Sequence, residues 1–147
     1  MFQIKLIIKR FLRPNGKVDF LYKLKKNASI LDIGCGNNSS KIVKYVLPNC
    51  RYTGIDIQNY NQTKETLSLF DDYIITTSKG FSKSISEINQ KFDVIISSHN
   101  LEHCENRLAV LEATFQIIKP NGTPWNIKPL QIMCICCSGY FWVDLPS

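Results

Sequence analysis

At 147 residues the chain is long enough for one domain with a real core and too short for two. Hydrophobic residues make up 44% and charged residues 20%, which excludes a disordered chain, and no apolar run approaches the roughly 20 residues of a membrane span. The net charge of +6 is uneven: residues 1–26 hold eight Lys/Arg against Asp19 alone, and the other 121 hold ten against eleven acids.

The basicity therefore belongs to a leader, residues 1–26. Read as a helix, it sets Phe2, Leu6, Lys9 and Arg13 on one side and Ile4, Ile7, Ile8, Phe11 and Leu12 largely on another. Such a basic amphipathic segment predicts a docking helix with a solvated face or, more sharply, peripheral membrane contact through anionic lipid, or an acidic partner. No aromatic-and-basic groove pattern accompanies it, so no nucleic-acid partner is expected. Lysines break the first residues too often for a secretory core, and no small-residue cleavage site follows. The expected location is cytoplasmic, membrane-peripheral if the leader binds lipid. The six cysteines, Cys35, Cys50, Cys104, Cys134, Cys136 and Cys137, are then expected as free thiols. The Cys134–Cys137 run has the wrong spacing for a zinc knuckle, and no metal is expected.

After the turn Pro14-Asn15-Gly16, a helical stretch VDFLYKLKK runs to Asn27. Ala28–Ile33 is an apolar strand. Asn38-Ser39-Ser40 can cap a helix over Lys41–Leu47, stopped by Pro48. Arg51–Ile57 is a second strand, Thr63–Phe70 a helix, Tyr73–Thr77 a third strand, Ser84–Gln90 a short helix and Phe92–Ser97 a fourth strand. Glu105–Lys119 carries Leu108, Leu111, Phe115 and Ile118 at helical spacing and ends at Pro120-Asn121-Gly122. Strands alternating with helices, with continuous apolar runs in the central strands, predict an α/β fold: a Rossmann-like parallel sheet with helices on both faces. Right-handed crossovers put strand 1 in the centre and a ligand crevice at the carboxyl ends of the strands.

The chemistry-bearing residues fall at those ends. Gly34 and Gly36 allow a tight turn and close approach of a ligand, and the helix beginning near Ser39 offers N–H groups suited to a carboxylate or phosphate. Asp56, twenty residues past Gly36, is placed to accept hydrogen bonds from two ribose hydroxyls. No Gly-Lys-Ser/Thr phosphate loop is present, and Ser39 stands where a dinucleotide fingerprint needs glycine or alanine. Asp32, an acid inside the first strand, would repel a pyrophosphate and attract an ammonium group. The combination points to an amino-acid-bearing nucleoside, S-adenosylmethionine, and disfavours a nicotinamide-linked oxidoreductase.

ILDIGCG at 30–36 resembles motif I of the class I S-adenosylmethionine-dependent methyltransferases, and YTGIDI at 52–57 resembles their second motif. FDVIISSHNLEHCENRLAVLEATFQIIKPNG resembles the fourth strand and following helix of the branch acting on small molecules. The resemblance covers residues 28–122, in order, within a core assigned to 27–122. It implies that Asp32, Gly34, Cys35 and Gly36 hold the methionine end, that Asp56 and Ile57 flank the ribose, and that Ser98, His99 and Asn100 wall the sulfonium. Asn38 departs from a frequent family glycine, and Thr76, Thr77 and Ser78 are the polar candidates beside adenine. The implied activity is methyl transfer to a small-molecule acceptor, such as a sugar or lipid-linked intermediate; the alternative is a non-catalytic cofactor-binding remnant. His103 is a candidate general base, weighed against a loop-ordering role. Asp93 is expected to orient backbone or to face the sheet edge, and Asp71 and Asp72 to lie in a solvated loop.

The tail, residues 123–147, departs in composition: three of the six cysteines and both tryptophans follow residue 123. Pro124 and Pro129 oppose a central strand. The expectation is a shifted frame or truncation, with strands 5–7 largely missing and strand 4 left as an apolar edge. The competing expectation is a divergent tail whose LQIMCICC segment supplies a strand.

Overall fold

The computed structural model describes residues 3–5, 17–98, 101–120, 132–136 and 139–142. Its elements are α1 (Lys17–Lys23), β1 (Ser29–Ile33), α2 (Ser39–Val46), β2 (Arg51–Asp56), α3 (Lys64–Leu67), β3 (Asp72–Ile75), α4 (Phe81–Ser86), β4 (Val94–Ser98), a 3-10 turn (Leu101–His103), α5 (Arg107–Ile117), β5 (Ile132–Cys136) and β6 (Gly139–Trp142). They form one sheet of order β3-β2-β1-β4-β5-β6. The strands from β3 to β5 are parallel, and β6 runs antiparallel to β5. β1 is central, and the strand order reverses between it and β4, which is where an open parallel sheet opens a crevice at its carboxyl edge.

Burial on both sides of β1 explains its unbroken apolar run, since all five of its residues are buried. Side chains alternate across the strand. Leu31 and Ile33, with Ile55 and Ile95 from the flanking strands, face Phe81 and Ile85 of α4 and Val110, Ala113 and Ile117 of α5. Ile30, with Tyr52, Val94 and Ile96, faces Phe20 and Leu21 of α1 and Val43 of α2. Each fully buried aliphatic side chain contributes roughly 1.5–3 kcal/mol, so these two clusters hold the layers together.

Strand alternation assigns Asp32 to the same face as Ile30, beneath α1 and α2. In register it lies beside Gly54 of β2 and Ile96 of β4. Gly54 is required by space: a Cβ there would come within 2.4 Å of the Phe70 ring and 2.9 Å of the Cys35 sulfur. Phe70 is itself held, stacked on Tyr52 at 4.9 Å between centroids and tilted against Tyr73 at 4.9 Å.

Several boundaries differ from those read in the sequence. α2 begins at Ser39 rather than Lys41, and Asn38 caps it without a side-chain bond, its amide donating instead to Asn37 Oδ1 at 2.8 Å. α4 begins three residues early, because Phe81 and Ile85 form the buried stripe. Asp71 and Asp72 are not simply a solvated loop. Asp71 accepts from the Tyr52 N–H at 2.7 Å and from Lys44 Nζ at 2.9 Å, and Asp72 opens β3. Nor is β4 an edge: Ile95 to Ser98 pair with Ile132 to Ile135, so the tail supplies the neighbouring strand and then a sixth. Of the leader, residues 3–5 are helical and exposed; residues 1–2 and 6–16 lie outside the described residues. No described helix is long and apolar enough to cross a membrane. Cys35, Cys50 and Cys104 are free thiols; the expectations for Cys134, Cys136 and Cys137 fall outside the described side chains.

Asp93 orients backbone as expected: its Oδ2 accepts from Ser29 N at 2.8 Å, Ser29 Oγ at 2.7 Å and Lys119 Nζ at 3.0 Å, tying the start of β1 to the chain end of α5. Burial raises its pKa, but these donors outweigh burial and hold it below the ordinary carboxylate range. A lowered folded-state value contributes stability above the unfolded value, which is lost as pH falls through the lowered one. Asp93→Asn is therefore expected to flatten the acid limb of stability against pH, measured by urea unfolding between about pH 2 and 7. Gly54→Ala is expected to lower stability by about 1–3 kcal/mol through overpacking, and Phe70→Leu in the same chain to recover part of it.

Candidate functional site

A cleft of about 260 Å³ opens at the carboxyl ends of β1 and β2. Gly34 and Gly36 form one wall, with φ of +69° and +55°, a left-handed backbone that glycine adopts without strain. The Gly34 N–H donates to the Ile55 carbonyl at 2.9 Å, which docks the turn on the end of β2. A Cβ placed on Gly36 would meet nothing within 4 Å, so the turn presents bare backbone to open space.

Asp56 closes β2 and lines the same cleft. Its Oδ2 accepts from the Gly36 N–H at 2.9 Å and its Oδ1 from the Ile57 N–H at 2.8 Å. The Gly36 N–H is thus already committed, and its carbonyl accepts from Gln62 Nε2 at 2.6 Å. This turn N–H serves to orient the acid. Burial pushes the Asp56 carboxyl above the ordinary carboxylate range, against the pull of these two N–H groups.

Of the residues singled out in the sequence, Gly34, Gly36, Asp56, Ile57 and His103 meet on the wall of this cleft. Asp32 and Cys35 do not line it. Cys35 is buried, with its sulfur 3.9 Å from Asp56 Oδ2, and burial together with the nearby acids pushes its thiol far up, so it is an inert filler. Ser98 closes β4 by its backbone; its side chain, and His99 and Asn100 entirely, lie outside the described residues. Among the adenine candidates only Ser78 reaches the cleft. Thr76 bonds Ser84 Oγ at 2.6 Å and Thr77 accepts from the Gly80 N–H at 3.1 Å, so both serve the α4 entry.

Three wall residues carried no assignment from the sequence: Tyr60, Phe81 and Cys104. Tyr60 and Asn61 have φ of +40° and +57°, and the Asn59-Tyr60-Asn61 run was the available signal, since asparagine tolerates that region. Phe81 was legible in the i, i+4, i+7 spacing of Phe81, Ile85 and Ile88.

Behind the glycine turn, Asp32 has no exposed surface. Its Oδ2 accepts from Lys17 Nζ at 2.7 Å, Tyr52 OH at 2.8 Å and Ser39 Oγ, and Lys17 also bonds Ser39. Burial first, and then the Asp32 charge, push the Tyr52 phenol well above its ordinary range, so it remains a donor. Asp32 Oδ1 has no partner. Among the described residues, no group of three His, Cys, Asp or Glu side chains is arranged to hold a metal.

The family model for a methyltransferase domain matches residues 31–123. The chain is 28% identical over 102 residues to the ubiquinone biosynthesis O-methyltransferase of Bartonella tribocorum, across 65% of this chain and 39% of that relative. Among solved structures it resembles the MycE methyltransferase of the mycinamycin biosynthetic pathway, determined with Mg and SAH (TM-score 0.55, 21% identity, 80% of this chain and 32% of that one). It also resembles coclaurine N-methyltransferase bound to N-methylheliamine and SAH (TM-score 0.57, 17% identity, 89% of this chain and 34% of that one). The chain therefore spans about two-fifths of the curated relative and a third of each of these structures.

Asp32→Ala is expected to destabilise the fold by about 3–5 kcal/mol, because it strands the Lys17 ammonium and the Tyr52 hydroxyl in a buried setting. Replacing Asp32 by Leu and Lys17 by Met together is expected to cost less than Asp32→Ala alone, as read from urea unfolding midpoints.

Proposed function

The chain belongs to the methyltransferase domain family, and we propose that its cleft binds S-adenosylmethionine for methyl transfer to a small-molecule acceptor. The observation that carries this reading is Asp56, a carboxylate fixed by two backbone N–H groups at the edge of a cleft whose other wall is bare glycine backbone. A carboxylate so oriented keeps lone pairs for the two hydroxyls of a ribose. The cleft volume of about 260 Å³ lies just below the roughly 300–1,000 Å³ common for small-ligand sites.

The residues lining the cleft fit the nucleoside part of that ligand. Gly34 and Gly36 let the nucleoside approach the backbone closely. Phe81 and Tyr60 offer flat apolar surface beside the base, with Ser78 as the polar neighbour. When bound, S-adenosylmethionine supplies an electrophilic methyl group on its sulfonium. The protein's own task is then to align the acceptor with that methyl group and to exclude water, a proximity effect. His103, on the cleft wall at the end of the 3-10 turn, is the side chain there that can take a proton from an oxygen or nitrogen acceptor. The basic leader favours a sugar or lipid-linked acceptor near an anionic surface.

Calorimetric titration with S-adenosylhomocysteine tests the reading. The parent chain is expected to bind, and Asp56→Ala to weaken binding by about tenfold or more, since each hydrogen bond to a charged acceptor is worth about 1.5–3 kcal/mol. Because the folded-state pKa of Asp56 is raised, the affinity should be full near neutrality and should fall as pH drops through that raised value, earlier than for an ordinary carboxylate. A folded parent that does not bind, or an Asp56→Ala chain that binds equally well, would contradict it.

A further inference from the structure

Just past Asp56 the chain reverses tightly, and the reversal brings a side chain back onto the glycine turn. Residues 59–62 form a β-turn closed by the Gln62 N–H, which donates to the Asn59 carbonyl at 2.9 Å. Its two central residues, Tyr60 and Asn61, have φ of +40° and +57°, a left-handed pair without a glycine. Residues with a Cβ adopt that region at a cost, which the surrounding structure must offset. The chain then runs directly into α3, whose cap Thr63 is locked to Thr66 in both directions. Gln62 is therefore held between a strained turn and a capped helix. From there its Nε2 donates to the Gly36 carbonyl at 2.6 Å, while the Gly36 N–H donates to Asp56 Oδ2 at 2.9 Å. A Cβ on Gly36 would meet nothing within 4 Å, so no packing restrains this glycine on that side. Glycine has the widest choice of backbone angles, and these two bonds are what narrow it.

We propose that Gln62 is a positioning residue for the nucleoside site: by holding the Gly36 carbonyl it keeps the Gly36 N–H on Asp56 and so fixes the rotation of that carboxylate in the cleft. The inference rests on the cofactor reading above. Gln62 does not line the cleft and acts only through Gly36 and Asp56. The left-handed turn is the device that delivers it. Without the Gln62 amide, Asp56 keeps the Ile57 N–H on Oδ1 but loses its firm hold on Oδ2. The consequence has a direction. Burial raises the Asp56 carboxyl and the Gly36 N–H pulls it down, so loosening that bond raises it further. Binding that needs the ionised acid is then lost at higher pH.

The test uses two ligands, S-adenosylhomocysteine and 5′-methylthioadenosine, which share the ribose and differ in the amino-acid end. Affinities are measured calorimetrically for the parent, Gln62→Met, Gln62→Asn, Asp56→Ala and the Gln62→Met, Asp56→Ala double variant. In the ligand-free parent and Gln62 variants, the Gly36 amide resonance is followed against pH as a reporter of Asp56 ionisation. Gln62→Met keeps the length of the side chain and removes the donor. It is expected to weaken both ligands alike by about three- to tenfold, the worth of one hydrogen bond. The Gly36 resonance should titrate at higher pH than in the parent. Added to Asp56→Ala, the same change should cost no more than about twofold, because the two residues act in series. Gln62→Asn, one methylene short of Gly36, should behave as Gln62→Met does, and it decides the matter if Gln62→Met does not fold. An unchanged affinity, or an unchanged Gly36 titration, in a folded Gln62 variant overturns the proposal and leaves the cofactor reading intact. So does a full additional loss in the Asp56→Ala background, which is the signature of a purely structural loop contact. A parent that binds neither ligand removes the cofactor reading and this inference together.

Discussion

A single buried carboxylate organises this molecule. Asp32 stands in the central strand with no access to water, and a charge there is tolerable only if the surrounding elements bring it donors. α1 brings Lys17, α2 brings Ser39 and β2 brings Tyr52. The same requirement fixes where α1 and α2 sit on the sheet. It also explains why Gly54 lies beside Asp32 in register: the space next to the carboxylate is filled by Phe70 and Cys35, which leave no room for a Cβ. The polar cluster and the apolar packing on this face are one construction.

The other end of β1 uses the same economy of groups. Gly34 and Gly36 turn the chain in left-handed conformations, and the turn is held by bonds to β2, from Gly34 to Ile55 and from Gly36 to Asp56. The acid that faces the cleft is therefore oriented by the backbone it helps to fix. Two carboxylates of different character result. Asp32 is sealed and paired with a cation; Asp56, also buried, lines the cleft and is held by neutral N–H groups.

Much of this was legible in the sequence because it rests on local chemistry. The alternation of apolar runs and helical stripes gave the parallel sheet, and the spacing from Gly36 to Asp56 placed both at one edge. What was hidden depended on distant partners. Nothing near Asp32 in sequence announces Lys17, fifteen residues earlier, or Tyr52, twenty later, so an acid that looked ready for a ligand proved to be held first by the protein. The Gly36 N–H likewise serves a distant partner, Asp56. Asp71 read as loop because its partner, the Tyr52 N–H, is nineteen residues away. The tail was legible in its competing reading, a strand within LQIMCICC. Pro124 and Pro129 do oppose a strand, yet the paired residues begin after them, at Ile132, where apolar and cysteine residues run without a break.

The account stands or falls on how Asp56 is used. The most direct measurement is an experimental structure of the chain with S-adenosylhomocysteine. The account predicts ribose hydroxyls within hydrogen-bonding distance of Asp56 and the nucleoside backed by Gly34 and Gly36. A ligand bound with its ribose away from Asp56, or outside this cleft, would contradict it.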